Sequence, residues 1–109
     1  MIVVVFEVTM KPGQGPRYFD LATALRAELV QIDGFLSVER FQSLTTPEKY
    51  VSVSYWRDAA AIDHWRAHES HRLAQALGKE EVFADFRITV AEALRSYTLA
   101  ERAATGGTS

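Results

Sequence analysis

The sequence contains no cysteine. Disulfide staples, zinc thiolates, iron–sulfur clusters and thiol nucleophiles are therefore excluded. Positive charge is scarce: twelve Lys and Arg stand against fourteen Asp and Glu, a net charge of −2. A nucleic-acid or membrane-surface binder needs a basic patch that this balance does not supply. The Gly-rich signature of a phosphate loop is also missing. "KPGQGP" carries two prolines and no following Lys-Ser/Thr pair, and neither a Gly-x-Ser-x-Gly elbow nor a glycosidase-like carboxylate spacing occurs. The opening "MIVVVFEVTMKPG" lacks a basic stretch, contains Glu7 and soon meets Pro12–Gly13. It reads as a strand, not as an export signal or a spanning helix, and a soluble cytoplasmic protein is expected.

What is present suits one globular domain. Of 109 residues, 48% are hydrophobic and 24% charged, enough to bury a core. Residues 2–10, rich in Val and Ile, carry apolar side chains on both alternating sets, as a strand covered on both faces would. After Pro16, the spacing of Phe19, Ala22, Leu25, Leu29 and Ile32 predicts a helix, ended by Asp33–Gly34. "FLSVERFQSL" (35–44) and "KYVSVSYW" (49–56) are strands joined by "TTPE", and Ser52, Ser54 and Trp56 share one face of the second. Asp58 caps a helix over "AAAIDHWRAH", Ser70 starts a further helical piece ending at Gly78, and residues 83–97 form the last strand. The order β-α-β-β-α-β is the ferredoxin-like plan, an α+β fold with one four-stranded antiparallel sheet. Residues 1–98 form the domain. Residues 99–109 are a C-terminal extension expected to be disordered toward its end. An apolar outer sheet face, with residues such as Phe41, Leu94 and Tyr97, predicts a homodimer that stacks two sheets into an α/β barrel.

Both tryptophans and all three histidines lie in "WRDAAAIDHWRAHESH", Trp56 to His71. On a helical wheel Ala61, Ile62 and Trp65 share the face that meets the sheet, and His68 lies at its edge. Trp65 reads equally as a core anchor and as a pocket wall. His68 is a candidate proton carrier, having an ordinary pKa near neutrality, against the plainer reading of a half-exposed helix histidine. His64 reads as a solvated residue. His64, His68 and His71 would form a stripe on an unbroken helix, but Ser70 breaks the register and no carboxylate accompanies them, so no metal site is expected. Ser52 and Ser54 are small for a central strand and could floor a cavity beside Trp56, or else face a partner. Tyr50, Tyr55 and Tyr97 could hold a ligand oxygen, or sit at strand ends for packing alone. Adjacent Glu39 and Arg40 must face opposite sides, and the inward charge needs a partner; Arg87 and Arg95 pose the same problem, and interchain or cross-strand pairing with Glu39, Glu92 or Glu7 is expected.

Taken together, "KPG" after the first strand, "DGFLSVERFQS", "YVSVSYWRDAAAIDHWRAH" and "FADFRITVAEALRSY" resemble the antibiotic biosynthesis monooxygenase superfamily over residues 1–98. The resemblance implies a homodimeric α/β barrel whose ligand pocket lies between sheet and helices. Members include cofactor-independent oxygenases of quinols and anthrone-like polyketides, heme-degrading oxygenases and an isomerase. Of the heme-degrading branch's functional residues only the Trp carries over, to Trp65. Its Asn falls at Phe6 and its iron-ligating His at Gln75, and an amide is a poor axial ligand. Heme degradation is therefore disfavoured. The resemblance implies an enzyme without cofactor or metal, acting on a small aromatic molecule. Trp65 and His68 would be catalytic, and Trp56, Tyr55, Ser52, Ser54, His71 and Tyr97 would bind substrate. The alternative is a non-catalytic dimer that binds a flat hydrophobic ligand.

Overall fold

A computed structural model describes residues 1–66 and 83–104. The elements are β1 (Ile2–Met10), α1 (Gly15–Leu29), β2 (Phe35–Gln42), β3 (Lys49–Trp56), a helix α2 described over residues 59–66, β4 (Phe83–Glu92) and α3 (Leu99–Ala104). The strands form one antiparallel sheet in the order β2-β3-β1-β4. The expected α+β plan holds. The positions read for Ser70, His68, His71, Gln75, Gly78 and the terminal "TGGTS" lie outside the described residues.

Register sorts the side chains onto two faces, since alternate residues of a strand point oppositely. Val4 pairs with Ser54 and Val90, Phe6 with Ser52 and Ile88, and Ser52 in turn with Arg40. These residues point toward the helices. Val8, Met10, Tyr18, Ala22 and Phe83 form one core cluster on that side, and Val4, Leu29, Trp56, Ala61, Ile62 and Trp65 form another. The opposite face carries Val3, Val5, Val51, Val53 and Tyr55, all partly exposed, and Phe41 at 49% exposure. Its polar rim includes Glu7, bound to Lys49 at 2.9 Å. That contact holds the Glu7 carboxyl below its ordinary range, by the hydrogen bond first and the charge second.

Four local expectations change. Helix α1 ends at Leu29, five residues before Gly34. Gly34 (φ +93°) instead turns the chain into β2, and a Cβ there would sit 2.6 Å from the Ala61 Cβ. The glycine thus permits a close approach to α2, not a helix cap. The buried stripe of α1 runs through Tyr18, Ala22 and Leu29, while Phe19 is 45% exposed. One residue is about 100° of helix rotation, enough to carry Phe19 to the edge. Strand β2 stops at Gln42, because the Ser43 hydroxyl accepts from the amides of Thr45 and Thr46 and starts a turn. Strand β4 stops at Glu92. Beyond it, Thr98 and Glu101 form a reciprocal pair, at 3.1 and 3.2 Å, that opens α3. "TLAE" is a capping-box signature that makes this short helix readable in the sequence at the start of the extension. No helix among the described residues is long and apolar enough to cross a membrane.

Candidate functional site

The start of α2 is fixed by charge. The Ala61 amide donates to Asp58 Oδ1 at 3.0 Å, as the capping reading requires. Arg57 donates through Nε to Asp58 (2.8 Å) and through both terminal nitrogens to Asp33 (3.1 and 3.3 Å). Its amide donates to the Gly34 carbonyl at 2.7 Å. The loop before β2 is thereby tied to the loop after β3. Arg57, followed by the Ala61 amide, holds the Asp58 carboxyl below its usual range.

This fixed start aims α2 so that Ala61, Ile62 and Trp65 face inward, each at most 4% exposed. His64 is exposed, as expected. Beneath the helix, Trp56 is buried and donates from Nε1 to Ser54 Oγ at 2.9 Å. Phe35 meets the Trp56 ring edge-on, 5.3 Å between centroids. The Ser54 hydroxyl accepts that bond with a lone pair and keeps its own proton to donate.

The two core clusters do not close on each other. A cavity of about 50 Å³ remains between α1 and the sheet, with Phe6, Tyr18, Leu25, Arg40, Ser52 and Phe83 in its wall. Beside it, Trp56, Ile62, Arg66, Ile88 and Val90 border a larger recess of about 450 Å³. Val4, Ser54 and Trp65 belong to both. Ser52 and Ser54 floor this space because register turns them to the helices, where a Val would fill it. Trp65 is core anchor and wall at once.

Of the residues the sequence proposed for the site, Trp65, Trp56, Ser52 and Ser54 come together. Tyr55 does not: it pairs with Val3 and Ser37 on the other face of the sheet. Tyr97 lies beyond β4, where its hydroxyl accepts from Arg102 at 3.1 Å, and it borders neither space. Three wall residues escaped the sequence reading as site residues: Phe6, Tyr18 and Arg40. Tyr18 was hidden by the one-residue error in the helix face. Arg40 was recognised as a charge that must face one side, but its side could not be chosen without the register. Within one chain, no carboxylate among the described residues meets it; the interchain pairing also expected involves a second copy. Glu7 is engaged by Lys49, and Arg40 has no ion pair among the described residues. The described walls contain no His, Cys, Asp or Glu, and no cluster of three such groups occurs among the described residues.

Residues 1–77 match the model of the antibiotic biosynthesis monooxygenase family. The chain is 36% identical over 96 residues to a protein of Pyricularia oryzae named jasmonate monooxygenase ABM, a match covering 88% of this chain and 45% of that protein. The chain spans about half the length of the curated relatives it matches. Among solved structures, Rv0793 of Mycobacterium tuberculosis superposes with a TM-score of 0.76 at 20% identity, covering 89% of this chain and 98% of that one. SnoaB of Streptomyces nogalater, a cofactor-independent oxygenase solved in a mutant form, superposes with a TM-score of 0.71 at 15% identity, covering 87% and 94%. These two likenesses concern the fold.

Proposed function

The chain belongs to the antibiotic biosynthesis monooxygenase family, and from that premise we propose that it is a cofactor-independent monooxygenase of a small, electron-rich aromatic such as a quinol or an anthrone. The observation that carries the reading is the unfilled space under Trp65, walled by apolar side chains and floored by two serines. A recess of about 450 Å³ is within the range that holds a small organic ligand.

Such a substrate supplies its own electrons. In an anthrone, loss of a proton from the activated CH₂ gives a carbanion that passes one electron to dioxygen. The radical pair joins as a peroxide, and loss of water leaves a carbonyl, so that CH₂ and O₂ become C=O and H₂O. The protein has to exclude bulk water, orient the ring and stabilise the oxyanion. Trp65 lies where it would orient the ring, and the Ser54 hydroxyl is free to donate to an oxygen. His68 is the proposed base, on sequence grounds alone. The test is oxygen uptake with a quinol and anthrone panel, comparing wild type with Trp65→Phe and His68→Ala. Loss of turnover in both variants, with binding retained, is expected. Turnover unchanged in both refutes the assignment.

A second reading is favoured by one observation: the described walls carry no general base. A dimeric binder of a flat hydrophobic ligand needs none. Saturable binding with no oxygen consumed would select it. In either case the half-exposed outer face of Val3, Val5, Val51 and Val53 is proposed to be covered by a second copy of the chain, and sedimentation equilibrium of the wild type should give twice the chain mass.

A further inference from the structure

A guanidinium facing an apolar cavity with no counter-charge is unusual, because a charge taken from water is costly unless paired. Among the described residues Arg40 is in that position. Half-buried on β2, it stands opposite Ser52 across the β2–β3 ladder and lines the 50 Å³ cavity. Its side chain has neither an ion pair nor a hydrogen bond among the described residues. Besides Ser54, whose hydroxyl holds Trp56, two further polar groups share its cavity. Tyr18 is 3% exposed, yet its hydroxyl has no hydrogen-bond partner among the described residues. Ser52 likewise makes no side-chain hydrogen bond there. Burial raises the Tyr18 pKa and the positive field of Arg40 opposes that rise, so the two side chains are near enough to feel each other. The phenol stays protonated at neutral pH and is available as a donor. One cation and the hydroxyls of Tyr18 and Ser52, with Ser54 beside them, thus converge on a space otherwise lined by Trp65, Phe6, Leu25, Phe83 and aliphatic neighbours.

Volume divides the labour between the two spaces. A water needs about 10–15 Å³, so 50 Å³ admits a group of a few heavy atoms, the size of a carboxylate, but no ring. The adjoining recess, across Ser54 and Trp65, is large enough for a ring. From this we infer that Arg40, with Tyr18 and Ser52, forms an anion-binding end to the pocket, selecting ligands that combine an apolar body with one anionic oxygen group. The group is a carboxylate or an ionised phenol or enol. Arg40 is then a specificity residue. This rests on the pocket being a ligand site, as the proposed function holds.

The test is calorimetric titration of the full-length protein with three probes: 2-naphthylacetate, its methyl ester and 2-naphthol. Wild type is compared with Arg40→Met and Arg40→Lys. Wild type should bind the acid more tightly than the ester by roughly ten- to a hundredfold, the range for a hydrogen bond to a charged group. Arg40→Met should abolish that preference and leave ester affinity intact, and Arg40→Lys should restore part of it. If the acid shows no preference but 2-naphthol gains an Arg40-dependent one as it ionises, near pH ~10, the inference holds with a phenolate as the source. An ester that binds while acid and ester behave alike, with 2-naphthol also indifferent to Arg40, overturns the anion assignment and leaves the pocket standing. No binding of any probe overturns both.

Discussion

Filling the cavity from its floor separates stability from function. Ser52 and Ser54 are two residues apart on the same face of β3, and both border the 50 Å³ space. They differ in one bond. Ser54 Oγ accepts the indole N–H of buried Trp56 at 2.9 Å, whereas the Ser52 hydroxyl has no side-chain partner among the described residues. Ser52→Val replaces the hydroxyl with one methyl group and adds a second in the void. At about 24 cal/mol per Å³, closing 50 Å³ recovers up to about 1.2 kcal/mol, which for a domain of this size raises Tm by about 4–6 °C. Ser54→Val fills the same space but leaves the Trp56 N–H buried and unpaired, at a cost of about 1–3 kcal/mol. It should be neutral or destabilising by up to about 2 kcal/mol. Thermal and urea denaturation followed by far-UV circular dichroism would give both values. Both variants should lose ligand binding. If Ser54→Val stabilised as much as Ser52→Val, the buried indole bond would not have the value assigned to it. If Ser52→Val destabilised by more than about 1 kcal/mol, the space would not be the void described.

Two further outcomes follow from the loops that aim α2. Gly34→Ala should destabilise by about 2–4 kcal/mol, from a non-glycine residue at positive φ and a Cβ 2.6 Å from Ala61, and urea midpoints at unchanged slope would measure it. The lowered Asp58 pKa means that the ionised carboxylate favours the folded state. Its contribution is complete above the unfolded value, near pH ~4, and fades as pH falls through the folded one. Asp58→Asn keeps a competent cap without the charge, so its stability should vary less than wild type between about pH 5 and pH 3. An identical pH profile for both proteins would refute the pairing.

The fold was legible because strong local signals agreed. β3 shows strict alternation, β1 a β-branched run, and both helices begin at recognisable residues, Pro16 and Asp58. Each places an element without any knowledge of the others. Trp65, Ser52 and Ser54 were legible for the same reason, since helical and strand periods assign faces from one reference point. The alternation of β3 already separates Tyr55 from Ser54, and the register places it with Val3 and Ser37 on the outer face, so its phenol chemistry alone does not bring it to the site. Arg40 and Tyr18 belong to the class that local reasoning cannot reach. Whether a strand charge faces helices or open sheet depends on pairing register, which shifts between Phe35 and Ser37 where β2 meets β3.

A domain that bound no ligand would have no reason to keep the space under Trp65. One change at Ser52 would fill it and add about 1.2 kcal/mol, a sizeable share of the stability of a small domain. Among the described residues, the same region leaves the half-buried Arg40 guanidinium without a counter-charge and the Tyr18 hydroxyl without a protein partner. The unfilled volume and these two polar groups occur in one cavity wall, while the clusters on either side are closed by Trp56, Ile62, Val8 and Met10. Random imperfection would scatter such defects. Their coincidence at one place, next to a recess large enough for a ring, fits a site whose missing partner is a ligand.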